Sequence, residues 1–531
     1  MTTKTPVTLA ALAVAASIAL PFAARAAQTC ESLANLELTA TSITSAQSVA
    51  AGSFTPPGGK AIPNLPAFCR VAGVIKPSPD SNIQFEVWMP ASNWNGKFQG
   101  AGNGGFAGYI GYDQLANAVG HNYASAATDT GHRATQGVDA AWALDHPEKI
   151  ADFGYRAIHE TAVKAKAILH AFYGEDPKRS YFSSCSNGGR QALMEAQRYP
   201  EDYDGIVAGA PANYWTHLLA NAAWDNLALL GDKDSFIPPK KLPAIQAAAL
   251  AACDALDGVK DGVIEDPSRC RFDPGVLLCQ AAESDSCLTA PQAAALKKLY
   301  AGGRNSHGQL FPGYAPGGEA ESGGWAVWIT GAAPERSLMY AFGTQFFKNM
   351  VFDNAAWDYH TFNADRDTKA ADDKQSGNLN ATDPDLGPFR KRGGKLILYH
   401  GWSDAAIAAQ NTIDYYDSVA AKMGAQQTGT FVRLFMVPGM QHCGGGSGPN
   451  SFGQFTVPAG DADRDMDAAL ERWVEKGIAP ERIVAAKRKS DLDPSSAVVR
   501  TRPLCAYPLI ARYQGSGSTD DDANFVCAKH D

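Results

Sequence analysis

Hydrophobic positions along most of the chain fall into short strand-like runs that alternate with longer helical patterns. Ile83–Met89 and Gly205–Gly209 are short apolar runs typical of strands, whereas Ile150–Phe172 has the apolar spacing of a long helix. Strands that alternate with helices of this length indicate a mostly parallel sheet covered on both faces. We therefore predict an α/β fold for most of the chain.

The same pattern predicts further elements on both sides of one interruption. The additional strands are Lys97–Gln99, Asn122–Thr128, Arg179–Ser184, Gly394–Tyr399 and Thr430–Val437, and the additional helices are Asn187–Tyr199, Ala408–Met423 and Asp461–Lys476. Residues 28–75 have the short polar and apolar runs of a small β-rich segment. Between 235 and 385 the alternation stops, so we predict a core of residues 27–234 and 386–531 with an inserted lid domain at 235–385.

The first 26 residues have the layout of a secretory signal peptide. Lys4 supplies a positive charge, Val7–Leu20 is a 14-residue apolar run, and Ala24–Ala26 forms an A-x-A cleavage site. Because the apolar run is shorter than a membrane-spanning helix, we expect cleavage rather than a retained anchor. The mature protein is then expected to be secreted or periplasmic, with no membrane association.

Composition excludes two classes of protein. The 531 residues are 45% hydrophobic and 19% charged, which excludes intrinsic disorder. Removal of Lys4 and Arg25 with the signal leaves 44 basic and 55 acidic residues, a net charge of −11, so we expect no nucleic-acid partner. The ten cysteines fit an oxidising compartment, but a core of this size folds without disulfides, so they need a more specific explanation.

A candidate nucleophile lies in the segment Ser183–Gly189, between a predicted strand and a predicted helix. The segment matches the nucleophile elbow G-x-S-x-G, with Ser184 in place of the first glycine and Ser186 as the nucleophile. The elbow needs small neighbours because its serine sits on a sharp, strained turn. The backbone N–H of Asn187 is then a candidate oxyanion donor. The alternative is an ordinary strand–helix turn with an N-capping serine.

The order serine, acid, histidine of the α/β-hydrolase fold indicates partners for Ser186. Asp404 lies in the loop after strand 394–399, and His442 lies in the loop after strand 430–437. The glycine-rich loop 102–105 is a source for a second oxyanion donor, for which we choose Gly104. The remaining histidines considered are interpreted as core, loop or structural residues: His121, His132, His159, His170 and His400.

Two cysteines flank the candidate catalytic residues. Cys185 directly precedes Ser186, and Cys443 directly follows His442. If Ser186 and His442 are within hydrogen-bond distance, the two thiols are neighbours, and a disulfide between them would limit drift of the Ser–His geometry. The alternative is two unrelated disulfides that happen to flank the pair.

These motifs, Cys185-Ser186, Asp404 and His442-Cys443, resemble those of the tannase and feruloyl esterase family over nearly all of the mature chain. The resemblance implies an α/β-hydrolase core with a lid. It also implies a secreted serine carboxylic-ester hydrolase that cleaves esters of hydroxycinnamic or other phenolic acids through an acyl-enzyme. The expected partner is a small aromatic ester or a phenolic ester on a plant polysaccharide.

Two other activities within the family remain open at this point: a tannase acting on galloyl esters, and a mono(2-hydroxyethyl) terephthalate hydrolase. A non-catalytic phenolic- or carbohydrate-binding protein with this fold is a remote alternative, and the intact Ser186, Asp404 and His442 argue against it. The family also implies four disulfides that sequence alone does not fix: Cys30–Cys69, Cys253–Cys270, Cys279–Cys287 and Cys505–Cys527.

A loop in the predicted lid, residues 254–266, is dense in aspartate and glycine. Its spacing leaves a calcium site and a solvated turn equally open. The resemblance implies a structural Ca²⁺ and no organic cofactor. The implied ligands are the side chains of Asp254, Asp257 and Asp261 and the carbonyls of Val259 and Val263.

The lid sequence also contains aromatic residues that can wall a pocket for a flat acyl group. Trp325 and Trp328 are candidates for substrate contact, and Ile407, three residues past Asp404, is expected to face the acyl pocket. More than half of the lid aromatics are expected to belong to the lid core.

Overall fold

A computed structural model describes residues 1–3, 28–134, 137–454, 457–458 and 460–529. The predicted signal peptide falls mostly in residues 4–27, which lie outside the described residues. Within the described ranges, no helix combines the length and the apolar character needed to cross a membrane.

The centre of the molecule is a nine-stranded sheet in the order β1-β4-β5-β7-β6-β8-β9-β12-β13. Strands β7 to β13 in that order pair in parallel, and β1, β4 and β5 extend the sheet by antiparallel pairing. Four two-stranded ribbons complete the strands. The strands are β1 (Thr41–Val49), β2 (Gly52–Phe54), β3 (Ile62–Leu65), β4 (Phe68–Ile75), β5 (Ile83–Pro90), β6 (Lys97–Gly100), β7 (Ala124–Thr128), β8 (Arg179–Cys185), β9 (Gly205–Gly209), β10 (Arg304–Asn305), β11 (Gly308–Gln309), β12 (Lys395–Gly401), β13 (Val432–Val437), β14 (Arg482–Arg488), β15 (Val498–Cys505), β16 (Ile510–Tyr513) and β17 (Phe525–Ala528).

Helices cover both faces of the sheet because its strands are apolar on both sides. Along β12, Leu396 and Leu398 pack into the cluster that holds α3, α4 and α12, whereas Ile397 and Tyr399 pack into the cluster that holds α14. The helices are α1 (Tyr112–Gly120), α2 (Pro147–Ala151), α3 (Ala157–Tyr173), α4 (Asn187–Arg198), α5 (Trp215–Leu230), α6 (Leu242–Cys253), α7 (Ala290–Ala301), α8 (Trp325–Trp328), α9 (Leu338–Phe346), α10 (Ala364–Leu379), α11 (Gly387–Lys391), α12 (Gln410–Met423), α13 (Ala425–Thr428) and α14 (Met466–Lys476). The α/β-hydrolase core predicted from the sequence is confirmed.

Between β9 and β12 the described chain adds no strand to the main sheet and forms helices α5 to α11, the β10–β11 ribbon and irregular loops. Short 3₁₀ turns are frequent here and elsewhere: Glu31–Asn35, Ala141–Ala143, Lys233–Ser235, Pro239–Lys241, Asp254–Asp257, Pro267–Arg269, Pro274–Leu277, Tyr359–Thr361 and Asp522–Asn524. The boundaries of a lid at 235 and 385 stay a prediction.

Two elements differ from the sequence-based expectation. The predicted helix 150–172 is divided by a π-helical turn, Asp152–Arg156, between α2 and α3. Helix α14 begins at Met466 rather than at 461 because the side chain of Asp465 caps it by accepting from the N–H of Ala468 at 2.9 Å. The segment 28–75 contains strands, as predicted, and its strands β1 and β4 belong to the main sheet.

Candidate active site

Ser186 stands on a strained turn at the carboxyl end of β8. Its backbone has φ 66° and ψ −126°, a conformation that residues other than glycine rarely adopt. The turn is closely packed: a Cβ added at Gly188 would lie 1.9 Å from the Ser184 hydroxyl. The predicted elbow is therefore formed, with its serine between a strand and the first residue of α4.

The chain brings Ser186, His442 and Asp404 together at the carboxyl ends of neighbouring strands. Nε2 of His442 lies 2.9 Å from Oγ of Ser186, and Nδ1 of His442 lies 2.8 Å from Oδ2 of Asp404. Asp404 follows β12 and His442 follows β13, and loops after parallel strands meet at one edge of the sheet. This arrangement allows an imidazole to accept the serine proton while a carboxylate orients it.

The carboxylate of Asp404 is fully surrounded by donors. Its Oδ1 accepts the N–H groups of Ala406 and Ile407 at 2.7 and 2.9 Å, and its Oδ2 is also approached by Nε2 of His400 at 3.1 Å. Burial alone would raise the pKa of Asp404, but the charge on His442 and the hydrogen bonds from His400 and His442 outweigh it and hold the pKa well below its usual range. Asp404 is therefore ionised when His442 needs a negative partner.

All ten cysteines are paired, in the pattern that the family resemblance implies. The disulfide Cys185–Cys443 joins the residue before Ser186 to the residue after His442, with 6.1 Å between the two Cα atoms. This bridge fastens the end of β8 to the loop after β13. Separate disulfides flanking the pair, the alternative left open by the sequence, are not formed.

The predicted oxyanion donor Asn187 is held by a buried arginine that the sequence analysis missed. Nε of Arg190 donates to Oδ1 of Asn187 at 2.9 Å, and its other nitrogens donate to the carbonyls of Phe153 and Gly154 in the π-helical turn at 3.1 and 2.7 Å. The guanidinium also lies 5.0 Å from the ring of Trp215, and burial lowers the pKa of Arg190 to about 9. Because Asn187 is the first residue of α4, its N–H has no partner within the helix.

The second predicted donor, Gly104, lines an open cleft that also contains Ser186 and His442. Its N–H donates to the hydroxyl of Tyr109 at 3.0 Å, and the Tyr109 side chain is exposed. The loop that carries Gly104 is held in place by Asn103, whose side-chain amide donates to the carbonyls of Tyr109 and Thr128 at 2.9 and 3.0 Å. A ligand oxygen that uses the Gly104 N–H must therefore displace the Tyr109 hydroxyl.

Ser186 and His442 lie where two spaces meet. An open cleft of about 740 Å³, here the outer cleft, is lined by loop residues around Lys60 and Tyr109 and by Trp328. A narrow apolar cavity, here the inner cavity, continues beneath Ser186. It is lined by Ala212, Trp215, Leu218, Leu219, Met339, Phe342, Ala406 and Ile407, together with Trp328 and His442. Among the described residues that line the inner cavity, none is an acid, lysine or arginine.

The structure separates the three substrate-contact candidates. Ile407 and Trp328 line the inner cavity, and the Trp328 ring packs edge-on against the His442 ring with centroids 4.9 Å apart. Trp325 corrects the expectation: it is buried against Tyr300 and Tyr314 in the core of the inserted segment and lines neither space. The two tryptophans are three residues apart and look equivalent in the sequence, but only Trp328 lines the site.

The inserted segment also holds the histidine loop in place. The side-chain amide of Gln441, next to His442, donates to the carbonyl of Gly318 at 2.8 Å and to the Glu321 carboxylate at 3.1 Å. Glu321 accepts a further hydrogen bond from the N–H of Ser447 at 3.2 Å. The segment between β9 and β12 therefore contributes both a wall of the site and support for the candidate base.

The loop predicted to bind calcium forms two tight turns. Oxygens of Asp254 accept the N–H groups of Asp261 and Gly262, and Asp257 accepts the N–H of Val259 at 3.0 Å. Burial, with a further contribution from the charge on Asp261, raises the pKa of Asp257. Asp261 also pairs with Arg502 at 2.7 Å.

Comparison with known proteins identifies the family of this chain. Residues 69–528 match the family model described as tannase and feruloyl esterase. The chain is 46% identical to an uncharacterised esterase of Xanthomonas campestris pv. campestris, covering 96% of this chain and 92% of that protein. It is 35% identical to a probable feruloyl esterase B-2 of Aspergillus terreus, covering 86% of each.

A solved structure has the same fold. The crystal structure of feruloyl esterase B from Aspergillus oryzae superposes with a TM-score of 0.86 at 33% identity, covering 94% of this chain and 99% of that one. The family match spans most of the chain, and the alignments with the two relatives named as esterases cover 92% and 86% of those proteins. The chain belongs to the tannase and feruloyl esterase family and is a carboxylic ester hydrolase.

Proposed function

We propose that this protein is an exported serine esterase that cleaves esters of hydroxycinnamic and related phenolic acids, with Ser186, His442 and Asp404 as the catalytic triad. One observation carries the proposal: the Ser186 hydroxyl, 2.9 Å from the His442 imidazole, stands where an apolar cavity meets an open cleft. The relatives named as feruloyl esterases B support the choice of acyl group.

The reaction proceeds in two steps. Nε2 of His442 takes the proton of Ser186 as its Oγ attacks the ester carbonyl carbon, and His442 then protonates the leaving alcohol as the carbon–oxygen bond breaks. Water repeats the sequence on the acyl-serine, with His442 again as the base, and releases the acid. Ionised Asp404 holds the imidazole orientation and stabilises its positive form in both steps.

The developing oxyanion is stabilised by the N–H groups of Asn187 and Gly104. Helix α4 begins at Asn187, so its positive end also points at the developing charge. Arg190 supports the turn by holding the Asn187 side chain. The Tyr109 hydroxyl occupies the Gly104 N–H until substrate arrives, which keeps that donor paired in the free enzyme.

The inner cavity has a volume of about 50 Å³, so its walls move apart to admit an aromatic acyl group, and it selects that group by polarity. A hydroxycinnamoyl group offers a flat, largely apolar ring to walls such as Trp215, Phe342 and Ile407. A galloyl ring brings three hydroxyl groups and a terephthaloyl monoester brings a carboxylate. Leaving such groups unpaired costs about 1–3 kcal/mol each, more for the charge, so both are expected to react more slowly.

The outer cleft receives the alcohol portion of the ester. Its size and its polar rim suit a bulky leaving group such as the sugar of a plant cell-wall polysaccharide. The two sides of the ester are thus treated differently: the acid enters a narrow apolar cavity, and the alcohol lies in an open cleft of mixed lining that includes the polar side chains of Lys60 and Asp113.

A structural Ca²⁺ in the 254–263 loop is part of the proposal. The donor set of three carboxylates and two backbone carbonyls is of the hard-oxygen type that Ca²⁺ prefers. The loop concentrates the carboxylates of Asp254, Asp257 and Asp261 within eight residues, and only Asp261 has an arginine partner among the described contacts. When bound, the cation neutralises this charge and stiffens a segment that has little regular structure.

Export rests on residues 1–26 and on the five disulfides, which persist in an oxidising compartment. Amino-terminal sequencing of the protein recovered from the periplasm or the medium is expected to start at Ala27. A cell-associated protein that retains Met1 would contradict export.

A substrate panel tests the proposed activity. kcat/KM is measured for methyl ferulate, methyl gallate and mono(2-hydroxyethyl) terephthalate with the wild-type enzyme and with Ser186→Ala. The wild type is expected to prefer methyl ferulate by roughly tenfold or more, from the cost of unpaired polar groups. Ser186→Ala is expected to be inactive on all three while keeping its melting temperature. A preference for the gallate or the terephthalate ester overturns the acyl assignment.

A further inference from the structure

Three side chains of the types that bind metal ions lie together between α3, α4 and the loop after α4, away from the active site. His159 of α3, Glu195 of α4 and Asp202 in the loop after α4 each place a ligand atom within 4.8 Å of the other two. Glu195 lies eight residues, about 12 Å, along α4 from Asn187. The cluster is therefore separate from Ser186 but shares its helix.

Glu195 is the unusual member of this cluster. Glu195 is 1% exposed, no N–H group of the described residues donates to either carboxylate oxygen, and its side-chain neighbour is the Asp202 carboxyl group. Burial and then the neighbouring charge of Asp202 raise the pKa of Glu195 well above its usual value. Two buried carboxylates that face each other are costly unless a positive group lies between them.

The nearby cations do not fill that position. Lys166 donates its ammonium group to the backbone carbonyl of Asp202 rather than to either carboxylate. Nδ1 of His159 lies 2.7 Å from Oδ2 of Asp202, so the imidazole supports Asp202 and not Glu195. The His159 ring stacks on Tyr199 with centroids 3.8 Å apart, which fixes the direction of its nitrogen.

We propose that His159, Glu195 and Asp202 bind a divalent transition-metal ion of the Zn²⁺ type. One imidazole nitrogen and two carboxylate oxygens form a three-ligand set that Zn²⁺ accepts in tetrahedral geometry, with water as the fourth ligand. The ion replaces two protons, the one that joins His159 to Asp202 and the one that Glu195 holds because of its raised pKa, and both leave to solvent. The His159 side chain is 28% exposed, which gives the ion an entry path.

The bound ion joins α3 to the C-terminal half of α4. Helix α4 begins immediately after Ser186, so the site anchors the far end of the helix that forms the nucleophile elbow. The expected role is structural, because no ligand of this set reaches the cleft or the inner cavity.

The test uses the full-length mature enzyme, freed of metals by chelation and resupplied with excess Ca²⁺, then titrated with ZnCl₂. The wild type is expected to bind one Zn²⁺ at this site and to gain roughly 2–5 °C in melting temperature. An anomalous diffraction peak at the zinc edge is expected between His159, Glu195 and Asp202. Glu195→Gln keeps the side-chain shape and is expected to lose at least tenfold in affinity for Zn²⁺.

Two further variants make the outcome decisive. His159→Phe keeps the stacking on Tyr199, removes the nitrogen, and serves if Glu195→Gln does not fold; it is expected to lose the zinc response as well. Glu201→Gln, at a side chain 83% exposed nearby, is the matched control and is expected to respond like the wild type. Absence of the anomalous peak overturns the proposal, as does equal stabilisation of wild type and Glu195→Gln by zinc. A Glu195→Gln enzyme more stable than a zinc-insensitive wild type would assign a proton to the position instead.

Discussion

Nε2 of His400 lies 3.1 Å from Oδ2 of Asp404, the same oxygen that His442 approaches from the other side. The same Nε2 also faces the carbonyl of Ile407 at 3.0 Å, so it faces two acceptors and must carry the hydrogen. Nδ1 of His400 lies 2.7 Å from the Thr412 hydroxyl. A buried histidine therefore donates to the acid of the proposed triad.

This contact predicts that His400 is a positioning residue for Asp404. A hydrogen bond to a charged group contributes about 1.5–3 kcal/mol, so His400→Ala is expected to lower kcat about tenfold to a hundredfold with little change in KM. Loss of this donor leaves the Asp404 carboxylate with more negative charge to attract the proton on His442, which shifts the acidic limb of the kcat/KM profile to higher pH. His400→Gln, whose amide still donates, is expected to restore part of the activity. Equal kcat and an unchanged pH profile in His400→Ala would contradict the role.

The bridge Cys185–Cys443 is predicted to serve activity as well as stability. Its two cysteines are 258 residues apart in sequence, and closing such a loop stabilises the fold by at most about 5 kcal/mol. The double variant Cys185→Ala/Cys443→Ala is expected to lose both melting temperature and kcat, because the serine and histidine loops are no longer joined. Cys279→Ala/Cys287→Ala removes a bridge of the inserted segment and is the control, expected to keep kcat. If both double variants keep the wild-type kcat, the Cys185–Cys443 bridge has no role in activity.

Removal of calcium is predicted to destabilise the loop that carries Asp254, Asp257 and Asp261. Chelation is expected to lower the melting temperature by several degrees, and added Ca²⁺ is expected to restore it, since a cation bound only to the folded state stabilises that state. Asp254→Asn should abolish the response. Asp273→Asn, at an exposed aspartate of the same segment, should retain it. A melting temperature that does not change on chelation would remove the calcium site.

A buried acid near the oxyanion loop predicts a pH dependence of stability. Oδ1 of Asp129 accepts the N–H groups of Gln84 and Gly131, but burial raises the pKa of Asp129 to about 7 from a usual value of 3.8. The folded state therefore holds this proton more tightly than the unfolded state. The free energy of unfolding should fall as pH rises from about 4 to 7, by roughly 1–4 kcal/mol from this group.

Asp129→Asn tests this dependence because the amide oxygen still accepts both N–H groups and cannot ionise. Its melting temperature is expected to decline less than that of the wild type between pH 4 and pH 7. Asp113→Asn, at an exposed position, is expected to follow the wild type. Parallel curves for Asp129→Asn and wild type would show that Asp129 is already ionised in the folded state.

Chain order and local pattern were sufficient to predict the geometry of Ser186, Asp404 and His442. Each residue lies in the turn or loop that follows a parallel strand, and such loops meet at one edge of the sheet. The cysteines next to Ser186 and His442 carried the same information, since neighbours of paired residues are themselves close. The site residues that could be predicted from the sequence were therefore those that lie next to regular strands and helices.

The residues that escaped prediction act through contacts distant in sequence. In the sequence, Arg190 is a polar residue after two glycines, with no sign of its role. Its role depends on the carbonyls of Phe153 and Gly154, which accept its hydrogen bonds from a separate π-helical turn. Trp325 and Trp328 look alike in sequence, and only the packing of the inserted segment shows which one reaches His442. The pattern of strands and helices does not predict such contacts, because they depend on how separate elements pack.

The most direct test of the account is to trap the acyl-enzyme. Wild-type enzyme is mixed with excess methyl ferulate, quenched in acid within the first turnovers, and digested for mass spectrometry. One feruloyl group is expected on the peptide that contains Ser186, with no such peptide from Ser186→Ala. Hydrolysis at an undiminished rate by Ser186→Ala, or a feruloyl group on another residue of the active wild type, would contradict the proposed nucleophile.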